Sequence, residues 1–556
     1  MYLKYNIYDT DVLIVGGGGA GVRAAISARE EGANVVLAVK GSLGHCGSTS
    51  AAFGETTMYA ATPEKGDSRD GFLKDTIKAG MNLIDEKLAK VLVEEAGYRM
   101  DDLVKYGVDF IYKKNRDLFE SGFAHSYPRT YLLRTRYERE ILNKLVNQVK
   151  NSSIKVMEGI TIVKLIVKDN EIIGALGLDT GDNITIFRAP SVVLASGGAH
   201  ELFPHHPSTK DMTGDGFAMA YDAGAILTNM EFIQMGPMTT FPKKYILSAP
   251  IWRLKPILSN ERNERFLEKY LPEEVTVEEI YRIAEFPFTV RTITRYMDWA
   301  IFNEIVEGRG NENKSVYLDL RHLSSEEIKR RAPYTYSALK RSGLDLTKEK
   351  VEISIGVQCF HGGPIINSDS QTTVIGLYAC GEAAGGLMGP ERPGGNALAE
   401  CQVFGHRAGE NAAKYAQNQE YKVTQSELEK QAQNLIPRMG SRVLDYDKMV
   451  IGIQGLMFNQ ALTNRTEAGL VNGINKVDDF KDNLKKSKGS TKEMLELYNM
   501  LTTARLILEA ALNRRESRGG HYREDFTEQK LEFDKNILIS KKENVMKVQI
   551  NKTFYI

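Results

Sequence analysis

The sequence predicts an α/β protein with a Rossmann-like nucleotide-binding core, an inserted unit of different composition and a helical C-terminal part. Three observations predict it. The stretch 11–21, DVLIVGGGGAG, reads as a buried parallel strand that runs through a G-x-G-x-x-G turn into a helix over 20–30. A second apolar strand, SVVLASGG (191–198), returns to a glycine pair, as a two-part nucleotide fold requires. Residues 241–349 carry more charge, proline and aromatic side chains than their flanks, and 425–515 show helical periodicity almost throughout.

Each glycine of the first turn has its own task. Gly16 allows the tight turn, Gly18 lets the backbone approach a pyrophosphate, and Gly21 lets helix and strand pack closely, with the helix N-terminus facing the phosphate charge. The second strand, 34–39, leads into Lys40 with no acid for a ribose hydroxyl, which argues against an ordinary NAD dehydrogenase. GSLGHCGSTSAAFGE (41–55) is a loop of small and hydroxyl residues suited to wrapping a diphosphate or a flavin ring through its backbone. Helices are expected over 88–104 and 137–150, with strands in IKVMEG, IVKLIV, EIIGALGL and ITIFRA. A turn and short helix follow over 212–225, and GLYACGE (376–382) is a further strand running into a turn. Residues 385–409 read as a glycine loop entering a helix, and the chain from Gln529 alternates as a terminal hairpin does.

Composition excludes several classes. Lys+Arg and Asp+Glu both number 72 in 556 residues, so no net charge draws the chain to nucleic acid or an anionic surface. No apolar run approaches the ~18 residues of a membrane span, and no signal peptide is apparent. Cys46, Cys359, Cys380 and Cys401 form no C-x-x-C, which points to a reducing, cytoplasmic setting and excludes a four-cysteine cluster or zinc ribbon. His205–His206 has no third ligand at a recognisable spacing, so no metal is expected.

Several separated motifs then agree. GSTSAAFG, LASGG, TGDGFAMAYDAGA, NMEFIQ, VYLDLRHL, GLYACGE, GGNALAE and RRESRGGHYRED occur in order, and with them the chain resembles the flavoproteins of fumarate reductase and succinate dehydrogenase and their relative L-aspartate oxidase. The resemblance implies a discontinuous FAD-binding domain (1–240 and 350–424), an α+β capping domain (241–349), a helical domain (425–528) and a tail (529–556). It implies Gly16, Gly18, Gly19, Ala20 and Gly21 at the pyrophosphate, and Lys40, Gly47, Ser48, Thr49 and Gly54 along the adenosine, diphosphate and flavin path. Ile162, Ser196, Gly197, Gly198 and Asp215 fall on the nucleotide side, and Gly381 and Glu382 near the ribityl chain. Asn396, Ala397 and Leu398 fall against the isoalloxazine, at a helix start whose dipole favours a reduced anionic flavin. The histidine through which succinate dehydrogenase relatives attach FAD falls on Ser48, so non-covalent FAD is expected, with His45 three residues away as the alternative anchor.

The resemblance also implies a substrate site, and there the chain departs. Family members hold a dicarboxylate with two histidines, a Thr-Glu pair and an arginine, and transfer a proton through a second arginine. GPERPGGN supplies Arg392, whose fork suits a carboxylate. The first histidine falls in Gly236-Pro237-Met238, the Thr-Glu pair on Ser248-Ala249, and the second histidine on Gln358, with His361 as its replacement. The proton-transfer arginine falls on Arg295 or on Arg291, and Arg518 and His521 are implied near the active site. Gly and Ala at these positions would enlarge one end, leaving Met235, Met238, Trp252 and Phe360 to line it. The function implied is hydride transfer at flavin N5 that reduces or forms a C=C bond beside a carboxylate or carbonyl, on a small acid other than fumarate or succinate. The same resemblance leaves room for an aspartate-oxidase-type enzyme, and for an electron-transfer flavoprotein partnered with an iron–sulfur protein, flavodoxin or ferredoxin.

Overall fold

Five short apolar strands carry the rest of the chain. They are β1 (Val12–Val15), β2 (Val35–Val39), β3 (Lys155–Glu158), β4 (Ser191–Leu194) and β5 (Leu377–Ala379). They pair in the order β5-β4-β1-β2-β3, every pair parallel. All residues of β1, β2, β4 and β5 are buried, as in a parallel sheet covered on both faces. The strand order reverses at β1, and the crevice at the carboxyl end of that reversal is where doubly wound sheets hold ligands. The computed structural model describes residues 5–51, 58–62, 66–111, 123–133, 139–247, 249–421, 423–435 and 440–551.

The helix α1 (Gly19–Glu30) follows β1, and α2 (Asn396–Gln417) lies along it. Their contact depends on missing side chains. A Cβ on Gly405 would fall 2.7 Å from the Ala20 carbonyl oxygen, and one on Gly409 would fall 2.1 Å from that of Ala24. Both partners advance four residues in the same direction, so the helices run parallel and their N-termini end on the same side.

The other expected elements form with small shifts. The helix expected over 88–104 spans Glu86–Lys105, and the one expected over 137–150 is described over Arg139–Lys150. Thr161–Lys168, Glu171–Leu178 and Ile184–Arg188 join Tyr5–Asp9 in a separate four-stranded sheet. The cap is built on an antiparallel sheet that takes in Ile233–Thr239 and Val351–Phe360, on either side of 241–349, with Tyr245–Ile246, Ile257–Ser259 and Val316–Asp319. The C-terminal part contributes the helices Tyr446–Ala461, Glu467–Lys485 and Thr491–Asn513. The tail hairpin, Asn536–Lys542 with Val545–Asn551, docks on Leu227–Thr228 and extends a sheet of the core.

The motif RRESRGGHYRED ties these parts together from inside. Arg465, Arg514, Arg518 and Arg523 are fully buried. Arg514 pairs with Glu231 at 2.5 Å and Glu516 at 2.9 Å, Arg518 with Glu516 at 2.8 Å, and Arg523 with Asp525 at 2.7 Å. Burying these charges is tolerated because each guanidinium also donates to backbone carbonyls, so no proton of the fork is stranded.

Gly409→Ala puts a methyl group against the Ala24 carbonyl. It is expected to lower the unfolding free energy by about 1–3 kcal/mol, read as a lower urea midpoint; an unchanged midpoint would mean that the helices do not touch there.

Candidate functional site

The carboxyl ends of β1 and β4, the N-termini of α1 and α2, and the underside of the cap enclose a cavity of about 580 Å³. It runs from Ala38, Lys40 and Ile162 at one end to Arg392 and the cap residues Phe286 and Pro287 at the other. The glycine turn forms its floor. Gly16 has φ +114°, and a Cβ there would sit 2.4 Å from the Ala195 carbonyl oxygen. A Cβ on Gly18 would have nothing closer than 4.0 Å, so this is where backbone meets open cavity. The Gly19 amide donates to Thr49 Oγ1 at 3.2 Å, which fixes the hydroxyl loop over the helix start.

These residues fit FAD. Besides the glycine floor and two helix N-termini, the wall carries four buried polar atoms with no protein partner among the described residues: Ser196 Oγ, Gln234 Oε1, Gln358 Oε1 and Arg392 Nε. Gly16, Gly18, Gly19, Ala20, Lys40, Gly47, Ser48, Thr49, Ile162, Ser196, Gly197, Asp215, Glu382, Ala397 and Leu398 all line the cavity, where the sequence places them. Gly21, Gly198, Gly381 and Asn396 support it from behind. A Cβ on Gly21 would be 1.9 Å from the Gly16 carbonyl oxygen, one on Gly198 2.6 Å from the Phe360 ring, and one on Gly381 2.7 Å from Ala20 Cβ. Asn396 is buried and donates to Thr76 Oγ1 at 3.4 Å. Gly54 and Ser248 lie outside the described residues.

Ser48 lines the cavity, bonded to Ser208 Oγ at 2.8 Å, whereas His45 is exposed and is not among the lining residues. FAD is therefore held without a covalent bond. Lys40 does not present a free charge. It bonds Asp215 at 3.1 Å and Glu496 at 2.6 Å; burial opposes its charge, and these two carboxylates outweigh burial and raise its pKa. All four cysteines are free and line the cavity, and burial pushes every thiol up, Cys46 to about 12, so they are neutral thiols.

At the far end the structure keeps Arg392 and rearranges its surroundings. The loop carrying it is clamped from three sides. His361 Nδ1 bonds the Gly389 carbonyl at 2.7 Å, Arg291 pairs with Glu391 at 2.8 Å, and Gly519 packs on Pro390. His361 is thus behind the loop and does not line the cavity. Burial, reinforced by Arg392, lowers its pKa to about 3, so it is a neutral brace. Arg295 does not line the cavity either. Its guanidinium donates to the Val290 carbonyl at 2.7 Å and the Tyr296 hydroxyl at 3.1 Å, over the rings of Tyr296 and Trp299. His521 is sealed among arginines, bonded to Arg465 at 2.6 Å and the Arg514 carbonyl at 3.1 Å. Arg518 has the same structural role.

The apolar wall expected from Met235, Met238, Trp252 and Phe360 is made by other residues. These four are core, and Trp252 donates to the Leu247 carbonyl at 3.2 Å. The cavity is faced instead by Ile246, Pro250, Phe286, Pro287, Pro333 and Tyr334. A Cβ on Gly236 would lie 2.6 Å from the Phe286 ring. That position therefore adds no empty volume, because an aromatic ring covers it. Gln358 lines the cavity as expected, but Gln234, Glu285, Arg331 and Glu400 also face it, and the sequence reading does not reach them. Gln234 and Glu400 sit inside NMEFIQ and GGNALAE, the only sequence signals that point to them. Nothing local marks Phe286 or Arg331, whose guanidinium bonds Glu327 at 3.0 Å and the Arg253 carbonyl.

Comparison with known proteins agrees with this geometry. The family described as "FAD binding domain" matches residues 11–398, and the one described as "Fumarate reductase flavoprotein C-term" matches 452–553. An uncharacterised FAD-dependent oxidoreductase of Methanocaldococcus jannaschii is 36% identical over 549 residues, 96% of each chain. A fumarate reductase (CoM/CoB) subunit of Methanothermobacter marburgensis is 33% identical over 555 residues, 97% of this chain and 98% of that one. The solved structure of Mycobacterium smegmatis Sdh1 in complex with UQ1 has a TM-score of 0.84 at 28% identity, covering 99% of this chain and 95% of that one.

Glu400 offers a test of the site's electrostatics in the cofactor-free chain. Burial pushes its pKa up to about 8, with Arg392 opposing and Glu382 reinforcing. Between the ordinary glutamate range and about pH 8 the folded chain holds a proton that the unfolded chain has lost, so stability falls as pH rises, by up to ~1.4 kcal/mol per pH unit. Glu400→Gln is expected to flatten that slope in urea unfolding. Equal slopes for parent and variant would show that Glu400 ionises normally.

Proposed function

The chain belongs to the fumarate reductase/succinate dehydrogenase flavoprotein family of FAD-dependent CH–CH oxidoreductases, and from that premise we propose that its substrate is an acid larger and less polar than fumarate or succinate. When bound, FAD supplies the hydride donor or acceptor at N5. The chain's own residues do the rest. Arg392 holds the carboxylate beside the reacting carbons, its Nε buried and without a protein partner among the described residues. Gln234 and Gln358 offer amide groups to the same acid. Glu400, facing the cavity and holding its proton up to about pH 8, is the group placed to give or take a proton at the second carbon. Arg295, turned away onto Tyr296, is not placed for that step.

The observation that carries this reading is the Phe286 ring over Gly236. An aromatic face there, continued by Ile246, Pro250 and Pro287, replaces a polar clamp on a second carboxylate with a surface that rewards an apolar substituent. The four free thiols support a cytoplasmic setting. The methanogen relative, itself one part of a larger reductase by its name, supports an iron–sulfur protein, flavodoxin or ferredoxin as electron partner.

After anaerobic reduction of the holoenzyme, cinnamate-like and other aryl or acyl acrylates are expected to reoxidise the flavin at least tenfold faster than fumarate. Faster reoxidation by fumarate would contradict the apolar wall. Arg392→Gln is expected to cut kcat/KM for the active acid by about 10²–10³-fold. A loss below about threefold would remove Arg392 from substrate binding.

A further inference from the structure

We propose that His200 and His206 form a buried proton relay connecting the cavity, through Glu382, to the protein surface at Glu201. The cavity end is Glu382, which lines the cofactor site and accepts from Ser48 Oγ at 3.4 Å and from the Phe360 amide at 2.9 Å. His200 Nε2 stands 3.5 Å from Glu382 Oε1 and 2.7 Å from the Gln358 carbonyl. A carbonyl can only accept, so Nε2 carries the proton and Nδ1 is left as the acceptor. The His200 and His206 rings are 5.9 Å apart between centres, within the span of one water bridge. Nδ1 of each ring is buried with no protein partner among the described residues. His206 Nε2 then meets Glu201 Oε2 at 3.0 Å.

Burial changes in the right order along this line. His200 is fully buried and His206 is 3% exposed, while the Glu201 side chain reaches 14%. Gln454 holds Glu201 from the helical domain at 3.2 Å, and Lys244 is the cation facing it. Phe203, Phe217 and Phe360 pack around the inner part, with His200 edge-on to Phe360 at 5.3 Å, and keep bulk water out. Burial keeps His206 neutral, its pKa lowered to about 4, so it can accept a proton on one nitrogen and release one from the other without storing charge. His205 is not part of the line; its ring packs on Phe458.

Chemistry supplies the demand. Saturating one C=C bond takes two electrons and two protons, and carriers that deliver electrons singly bring no protons, so both protons come from water. The inference rests on flavin redox chemistry in this cavity and not on the choice of acid, so it stands or falls apart from the substrate reading.

The test mixes holoenzyme with reduced methyl viologen, an electron donor that carries no protons, and follows proton uptake with a pH indicator in stopped flow. His206→Gln keeps an amide for Glu201 but cannot pass a proton in this way. It is expected to slow uptake at least tenfold, with unchanged flavin spectrum and Tm, and imidazole is expected to restore the rate. Glu201→Gln, at the surface end, is expected to slow it likewise, and serves if the first variant is unstable. His205→Gln is expected to keep the parent rate. Parent-like uptake in both His206→Gln and Glu201→Gln, equal slowing by His205→Gln, or no rescue by imidazole would overturn the relay.

Discussion

Where β1 ends, the Gly16 carbonyl oxygen lies 1.9 Å from the place a Cβ on residue 21 would occupy. Strand, turn and helix meet only because that atom is missing. The same logic repeats outward. α1 sits tight on the sheet, and α2 sits tight on α1 because residues 405 and 409 are also glycines. Two parallel helices held this closely present both N-termini to one cavity, and the partial positive charge of each suits an anionic cofactor. Backbone proximity, set by a handful of absent side chains, thus locates the nucleotide site before any polar contact is made.

The acid-binding end obeys a different constraint. Arg392 sits on a loop with little secondary structure of its own, and its position is imposed by neighbours from three regions. His361 comes from the end of a cap-sheet strand, Arg291 from the cap, and Gly519 from the closing motif of the helical part. Groups that could have been chemical are here mechanical. His361 and His521 are held neutral by burial and by nearby arginines, and Arg295 is occupied by a carbonyl and a hydroxyl. What remains facing the cavity is one arginine, amides, a buried acid and an apolar wall.

The nucleotide half is legible in the sequence because its requirements are local. Gly16, Gly18 and Gly21 act within one turn, and the spacing that identifies them also causes the geometry. Arg392 is legible for the same reason, through the loop that feeds α2. The cap is not. Periodicity finds the helix Arg295–Val306 but does not fix where an arginine at its first residue will turn. Phe286 covering Gly236 joins segments far apart in the chain, so the missing side chain at 236 reads as extra space when it is occupied by a ring. His205–His206 looks like half of a metal site in sequence, whereas the fold turns one ring toward Glu201 and the other onto Phe458.

The central claim is that one carboxylate clamp and one apolar wall define the substrate site. It is tested most directly by binding without turnover, in which the absorbance of the oxidised holoenzyme is titrated with 3-phenylpropanoate and, separately, with succinate. Tighter binding of 3-phenylpropanoate, lost in Arg392→Gln and weakened in Phe286→Ala, is the expected result. Tighter binding of succinate, indifferent to Phe286→Ala, would contradict it and restore a polar two-carboxylate site.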